Sequence, residues 1–96
     1  MEGKSVTWSE LANWDKEEYL LVDVREDSQS SYGMIPGAIS IPGTKLHELY
    51  QLPKEKRIVL YCQKGELSKE ILEVMLDAGY DACHLAGGYL SYVASL

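Results

Sequence analysis

The chain contains no phenylalanine, only three prolines and only two cysteines among its 96 residues. Two cysteines exclude a disulfide-stapled scaffold, and Cys62 and Cys83 lack the closely spaced Cys/His partners of a structural zinc site. Low proline, with a hydrophobic content of 46%, excludes a disordered, collagen-like or low-complexity chain. Basic residues are also short: nine Lys and Arg stand against fifteen Asp and Glu, for a formal net charge of −6 with His neutral. The general basic footprint of a nucleic-acid binder is therefore missing. So are long apolar runs. The strongest, Ile58-Val59-Leu60-Tyr61-Cys62, falls far short of the ~20 residues needed to cross a bilayer. Met1-Glu2-Gly3-Lys4-Ser5 opens no apolar signal-peptide core. The expectation is a cytoplasmic protein with two free thiols and neither nucleic acid nor membrane as partner.

What is present reads as one continuous domain over residues 1–96, without repeats or linker-like stretches. Val6-Thr7-Trp8 predicts a short opening strand, and Ser9 a helix N-cap ahead of Leu11, Ala12 and Trp14. Tyr19 to Val24 is a nearly continuous apolar run, the mark of a strand covered on both faces. Polar residues from Arg25 to Ser31 predict a loop with a helical turn. A short strand follows at Ile39-Ser40-Ile41, stopped by Pro42-Gly43. Thr44 to Leu52 predicts a short helix with Leu46, Leu49 and Tyr50 inward. Arg57 to Tyr61 is the best buried strand, and the next helix carries Leu67, Ile71, Leu72, Met75 and Ala78 at helical spacing, with Gly79 as its left-handed cap. Ala82 to Leu85 gives a last strand, and Gly87-Gly88 turns into a terminal helix. Strands alternating with helices predict an α/β fold with a mainly parallel β-sheet flanked by helices.

Ligands of such sheets gather beyond the carboxyl ends of the strands, where Asp23 and Cys62 fall. Cys62 ends a predicted strand and is followed by a Gly-containing loop and a helix: Cys62-Gln63-Lys64-Gly65-Glu66-Leu67-Ser68. Backbone N–H groups of such a loop and helix start converge on one point and favour an anion there, which activates a thiol as thiolate. Gly65 permits the positive φ that such a loop often needs. The competing reading is a buried cysteine packed as a small hydrophobe at a strand end. The loop pattern by itself leaves both open.

Four ordered segments resemble a rhodanese-like domain: Asp23-Val24-Arg25-Glu26, Ile35-Pro36-Gly37-Ala38-Ile39, Tyr61 to Ser68, and Leu85-Ala86-Gly87-Gly88-Tyr89. The resemblance spans Val6 to Tyr92. It implies a sulfurtransferase in which Cys62 accepts a sulfane sulfur as a persulfide and passes it to a thiol or cyanide. The donor would be a small sulfur-containing anion such as thiosulfate, or a protein or low-molecular-weight persulfide. The amides of Gln63, Lys64, Gly65, Glu66, Leu67 and Ser68 would cradle the persulfide, with no metal or organic cofactor. Met34 departs from the family pattern, which commonly has His before Ile-Pro-Gly-Ala. In the loop, Lys64 is offset by Glu66, where thiosulfate-using relatives often carry two cations. Phosphatases of the same fold hold phosphate with an Arg six positions after the Cys. Ser68 stands there, so the bidentate clamp is missing.

A second reading, from a different class, is a non-catalytic rhodanese-like module, free-standing or part of a longer protein, whose loop binds a partner or senses redox state. Thiol–disulfide exchange would need the distant Cys83 in place of a CxxC pair. Asp23 and Arg25 are expected to hold strand ends and loops through an ion pair rather than to act as base and anion clamp. Cys83 is expected to be a packed thiol. His84 is expected at the surface or hydrogen-bonded in the core, and His47 solvated. Lys54 to Arg57 reads as a solvated turn, and Trp8, Trp14, Tyr89 and Tyr92 as core and rim aromatics.

Overall fold

The computed structural model describes residues 4–96, so the expectation for the first three residues of the N-terminus lies outside it. The apolar run read as the best strand is the middle of the sheet: β4 spans Arg57–Tyr61, and its last four residues are fully buried. β1 (Ser5–Val6), β2 (Tyr19–Asp23), β3 (Ile39–Ser40) and β5 (Ala82–Leu85) complete the sheet in the order β1-β5-β4-β2-β3, with every pairing parallel. Parallel neighbours require crossovers. α1 (Trp8–Leu11), α2 (Asp27–Ser30), α3 (Leu46–Leu49), α4 (Glu66–Asp77) and α5 (Gly88–Ala94) lie in the connections and at the C-terminal end.

Alternation along the strands sorts the core into two clusters. Ile58, Leu60 and Cys62 join Val22, Val24 and Ala82 on the face that takes Ile71, Leu72 and Met75 of α4 and Leu49 of α3. Val59 and Tyr61 join Leu21, Cys83 and Leu85 on the other face, closed by Leu11, Ile35 and the rings of Trp8, Tyr89 and Tyr92. A sheet covered on both faces explains why the central strands read as unbroken apolar runs.

Several boundaries differ from the sequence reading. The opening strand stops at Val6, and Thr7 rather than Ser9 caps α1. Thr7 and Glu10 form a reciprocal capping box: the Glu10 amide donates to Thr7 Oγ1 at 3.2 Å and the Thr7 amide to Glu10 Oε1 at 2.9 Å. The α3 helix is a single turn, so only Leu49 is fully buried while Leu46 and Tyr50 remain exposed. Its exit is held from outside by the Tyr80 hydroxyl, which donates to the carbonyls of Leu52 at 2.6 Å and Tyr50 at 3.0 Å. Leu67 does not face the core: it is exposed in the first turn of α4. Ala78 lies just past that helix as its C-cap, and Gly79 turns with φ +91°, as its left-handed reading requires.

Leu60, on the central strand, has no solvent exposure and packs in the cluster beneath α4. Leu60→Ala should destabilise the protein by about 2–5 kcal/mol, measured by denaturant unfolding.

Candidate active site

Cys62 follows β4 directly and points, by the alternation of that strand, toward α4. The chain must turn sharply to enter the helix, and Gly65 does so as N-cap with φ +104°. A Gly N-cap has no side chain to satisfy the first helical amides. The sulfur takes that place. The amides of Gly65 and Ser68 each donate to Cys62 Sγ at 3.2 Å, and the Sγ lies 3.5 Å from the Ser68 hydroxyl. These two N–H groups, at the start of a twelve-residue helix, point their positive ends at the sulfur.

The first two peptides of the loop are held from behind. The amide of Tyr89 donates to the Cys62 carbonyl at 2.7 Å and that of Leu90 to the Gln63 carbonyl at 3.1 Å. These donors are first-turn amides of α5, which have no partner within their own helix. The approach is so close that a Cβ on Gly88 would lie 2.7 Å from the Gln63 carbonyl oxygen and closer still to that of Cys62. Gly88 also has φ +62°, so glycine is required there twice over.

A third support comes from β2. The Arg25 guanidinium pairs with the fully buried Asp23 carboxylate, its Nη2 at 2.7 Å, while Nη1 reaches Gln63 Oε1 at 2.9 Å and Nη2 the Gly33 carbonyl at 2.6 Å. It lies over the Tyr89 ring at 4.2 Å. Burial works to lower the Arg25 pKa, but the hydrogen bond and charge of Asp23 outweigh it and hold the group above its ordinary value.

The rhodanese-like domain family matches residues 7–95. The chain belongs to the rhodanese-like family. It is 31% identical over 80 residues to a sulfurtransferase of Allochromatium vinosum, covering 81% of this chain and 75% of that protein. It is 32% identical over 77 residues to the putative sulfurtransferase YtwF of Bacillus subtilis, covering 79% and 75%. A solved rhodanese-related protein from Thermoplasma volcanium superposes with a TM-score of 0.87 at 26% identity, over 96% of this chain and 92% of that one. These relatives support a general sulfurtransferase role.

The rhodanese-like loop brings the predicted residues together with unequal parts. Only the Gly65 and Ser68 amides reach the sulfur among the described residues. Gln63 is turned toward Arg25, and the side chains of Lys64, Glu66 and Leu67 line a shallow depression of about 350 Å³ in front of Cys62. Arg25 and Glu26 line it too, so two cations face two carboxylates there. Ser68 is fully buried and its hydroxyl lies 3.1 Å from His84 Nδ1, a contact that residue-type reasoning did not anticipate. The strand alternation of β5 was the available signal, since it sets His84 on the Cys62 face and Cys83 on the other. Cys83 is buried, and burial pushes its thiol up to about 11. Asp23 and Arg25 form the buried pair that was expected, and His47 is exposed beside Glu48.

Gly88→Ala should push α5 off the loop. The expected loss is at least about 1–3 kcal/mol of stability, read by thermal unfolding, together with faster proteolysis near Gln63.

Proposed function

We propose that Cys62 carries sulfane sulfur. The Cys62 thiolate attacks the sulfane sulfur of a donor and a new S–S bond forms. The bond from that sulfur to the rest of the donor breaks, and its electron pair leaves with that remainder. A thiol or cyanide then attacks the outer sulfur of the persulfide, and the Cys62 thiolate departs. One difficult transfer becomes two easier ones, with no net redox change in the protein. The observation that carries this reading is the pair of amide donors on Cys62 Sγ, each at 3.2 Å. They stabilise the thiolate both as the attacking group and as the leaving group. The remaining loop amides, of Gln63, Lys64, Glu66 and Leu67, would surround the outer sulfur.

The depression favours a donor other than a free dianion. Lys64 and Arg25 are opposed by Glu66 and Glu26, and Arg25 is already committed to Asp23. A persulfide on a small thiol or a protein brings less negative charge than thiosulfate, and the exposed Leu67 beside the opening offers it an apolar contact. A phosphoryl substrate is disfavoured because Ser68 stands six positions after Cys62, where a clamping arginine would be needed.

Treatment with a sulfane donor should add the mass of one sulfur atom to the wild-type protein and to Cys83→Ala, and none to Cys62→Ala. No adduct from thiosulfate, a small persulfide or a protein persulfide would favour a binding module instead. In a thiosulfate–cyanide assay, Glu66→Gln should raise kcat/KM about tenfold at low salt by removing one opposing charge, with the gain shrinking as salt is added. Fast wild-type turnover, unchanged by Glu66→Gln, would refute the charge argument.

A further inference from the structure

We infer that Ser68 passes a proton between Cys62 and His84, which makes His84 the base that takes the thiol proton. The inference rests on the sulfur-carrying role of Cys62 given above. It begins with strand register. His84 pairs with Leu60 across β4 and β5, and Leu60 shares its face with Cys62, so the imidazole and the sulfur both point toward α4. Ser68 rises from α4 between them, fully buried, with Oγ 3.5 Å from Cys62 Sγ and 3.1 Å from His84 Nδ1.

A hydroxyl held between two such groups has two consistent arrangements. In one, the thiol S–H donates to Ser68 Oγ and the hydroxyl donates to an unprotonated Nδ1. In the other, a protonated Nδ1 donates to Oγ and the hydroxyl donates to the sulfur anion. Passing from the first to the second breaks S–H and forms a new O–H, while the old O–H breaks and Nδ1–H forms. No electrons are exchanged with any other group. The sulfur keeps the S–H electron pair, facing the Gly65 and Ser68 amides, and the ring becomes an imidazolium. His84 is half-buried rather than sealed, so the ring can release its proton to water.

The surroundings of the ring keep it unprotonated before the transfer. Its neighbour on β1 is Ser5, preceded by Lys4, whose carbonyl takes the His84 amide at 3.0 Å. Its neighbour on β4 is the apolar Leu60, and from α4 it meets Ser68 and the charge of Lys69. Burial first, and Lys69 second, hold the His84 pKa below its ordinary value, so the ring is neutral near pH 7 and can accept.

The test follows the rate of Cys62 alkylation by iodoacetamide, resolved by site with mass spectrometry, across the range in which histidine titrates. His84→Asn is the decisive variant, because its amide keeps a hydrogen-bonding atom near the place of Nδ1 but does not titrate. The wild-type rate should rise through a step at the His84 midpoint. His84→Asn should lose that step and react roughly a hundredfold more slowly at neutral pH, with an unchanged thermal midpoint. A His84→Asn profile that overlays the wild type overturns the inference. A second measurement uses the wild-type chain alone: the His84 ring, followed by NMR, should titrate at a different midpoint once Cys62 is blocked by iodoacetamide. An unmoved midpoint also overturns it. The sulfane mass gain of the wild-type protein is scored separately. Its absence would count against sulfur carriage, whereas the two titrations judge the relay.

Discussion

Two hydrogen bonds decide which way the peptides of the Cys62 loop face. The first amides of α5 hold the carbonyls of Cys62 and Gln63 on one side, and further along the chain the amides of Gly65 and Ser68 meet the sulfur. A peptide unit has a fixed plane, so fixing those two carbonyls also fixes the N–H groups of Gln63 and Lys64 and sets the course of the chain into Gly65. The backbone contact requires glycine at position 88, because any side chain there would stand in the carbonyls it must approach. The Arg25–Asp23 pair then holds the side chain of Gln63 from the β2 side.

Strand alternation supplies the second organising constraint. Along β4 and one residue beyond it, every other side chain faces α4, and Cys62 falls in that series. On β5 the same rule sends His84 toward α4 and Cys83 to the far cluster. The two thiols therefore have different surroundings. One faces backbone donors at the mouth of a depression; the other is buried in apolar packing that pushes its pKa up to about 11.

Much of this was legible in the sequence. The parallel α/β architecture follows from unbroken apolar strands alternating with helices, and the strand–Cys–Gly–helix pattern marks the loop in the sequence itself. Short elements were less legible. A one-turn helix such as α3 presents a single buried residue, so Leu46 and Tyr50 had apolar character without a core position. The cap at Thr7 was written in Thr7-Trp8-Ser9-Glu10, but Ser9 satisfied the same residue preference and only the Glu10 spacing distinguishes them. The Ser68–His84 contact was hidden for another reason. It joins residues sixteen positions apart, and neither has a distinctive neighbour.

β4, α4, β5 and the first turn of α5 form one unbroken stretch from Arg57 to Leu90, and it contains Cys62, Gly65, Ser68, His84 and Gly88. Arg25 and Asp23 are contributed from elsewhere as props. The geometry around Cys62 is therefore modular: it belongs to a single stretch from β4 to the start of α5, and the first half of the chain acts as its mould. Chain breaks, insertions and drift in the exposed turn at Pro53 to Lys56 fall outside that segment, which leaves this turn the natural place for such a protein to vary without disturbing its sulfur.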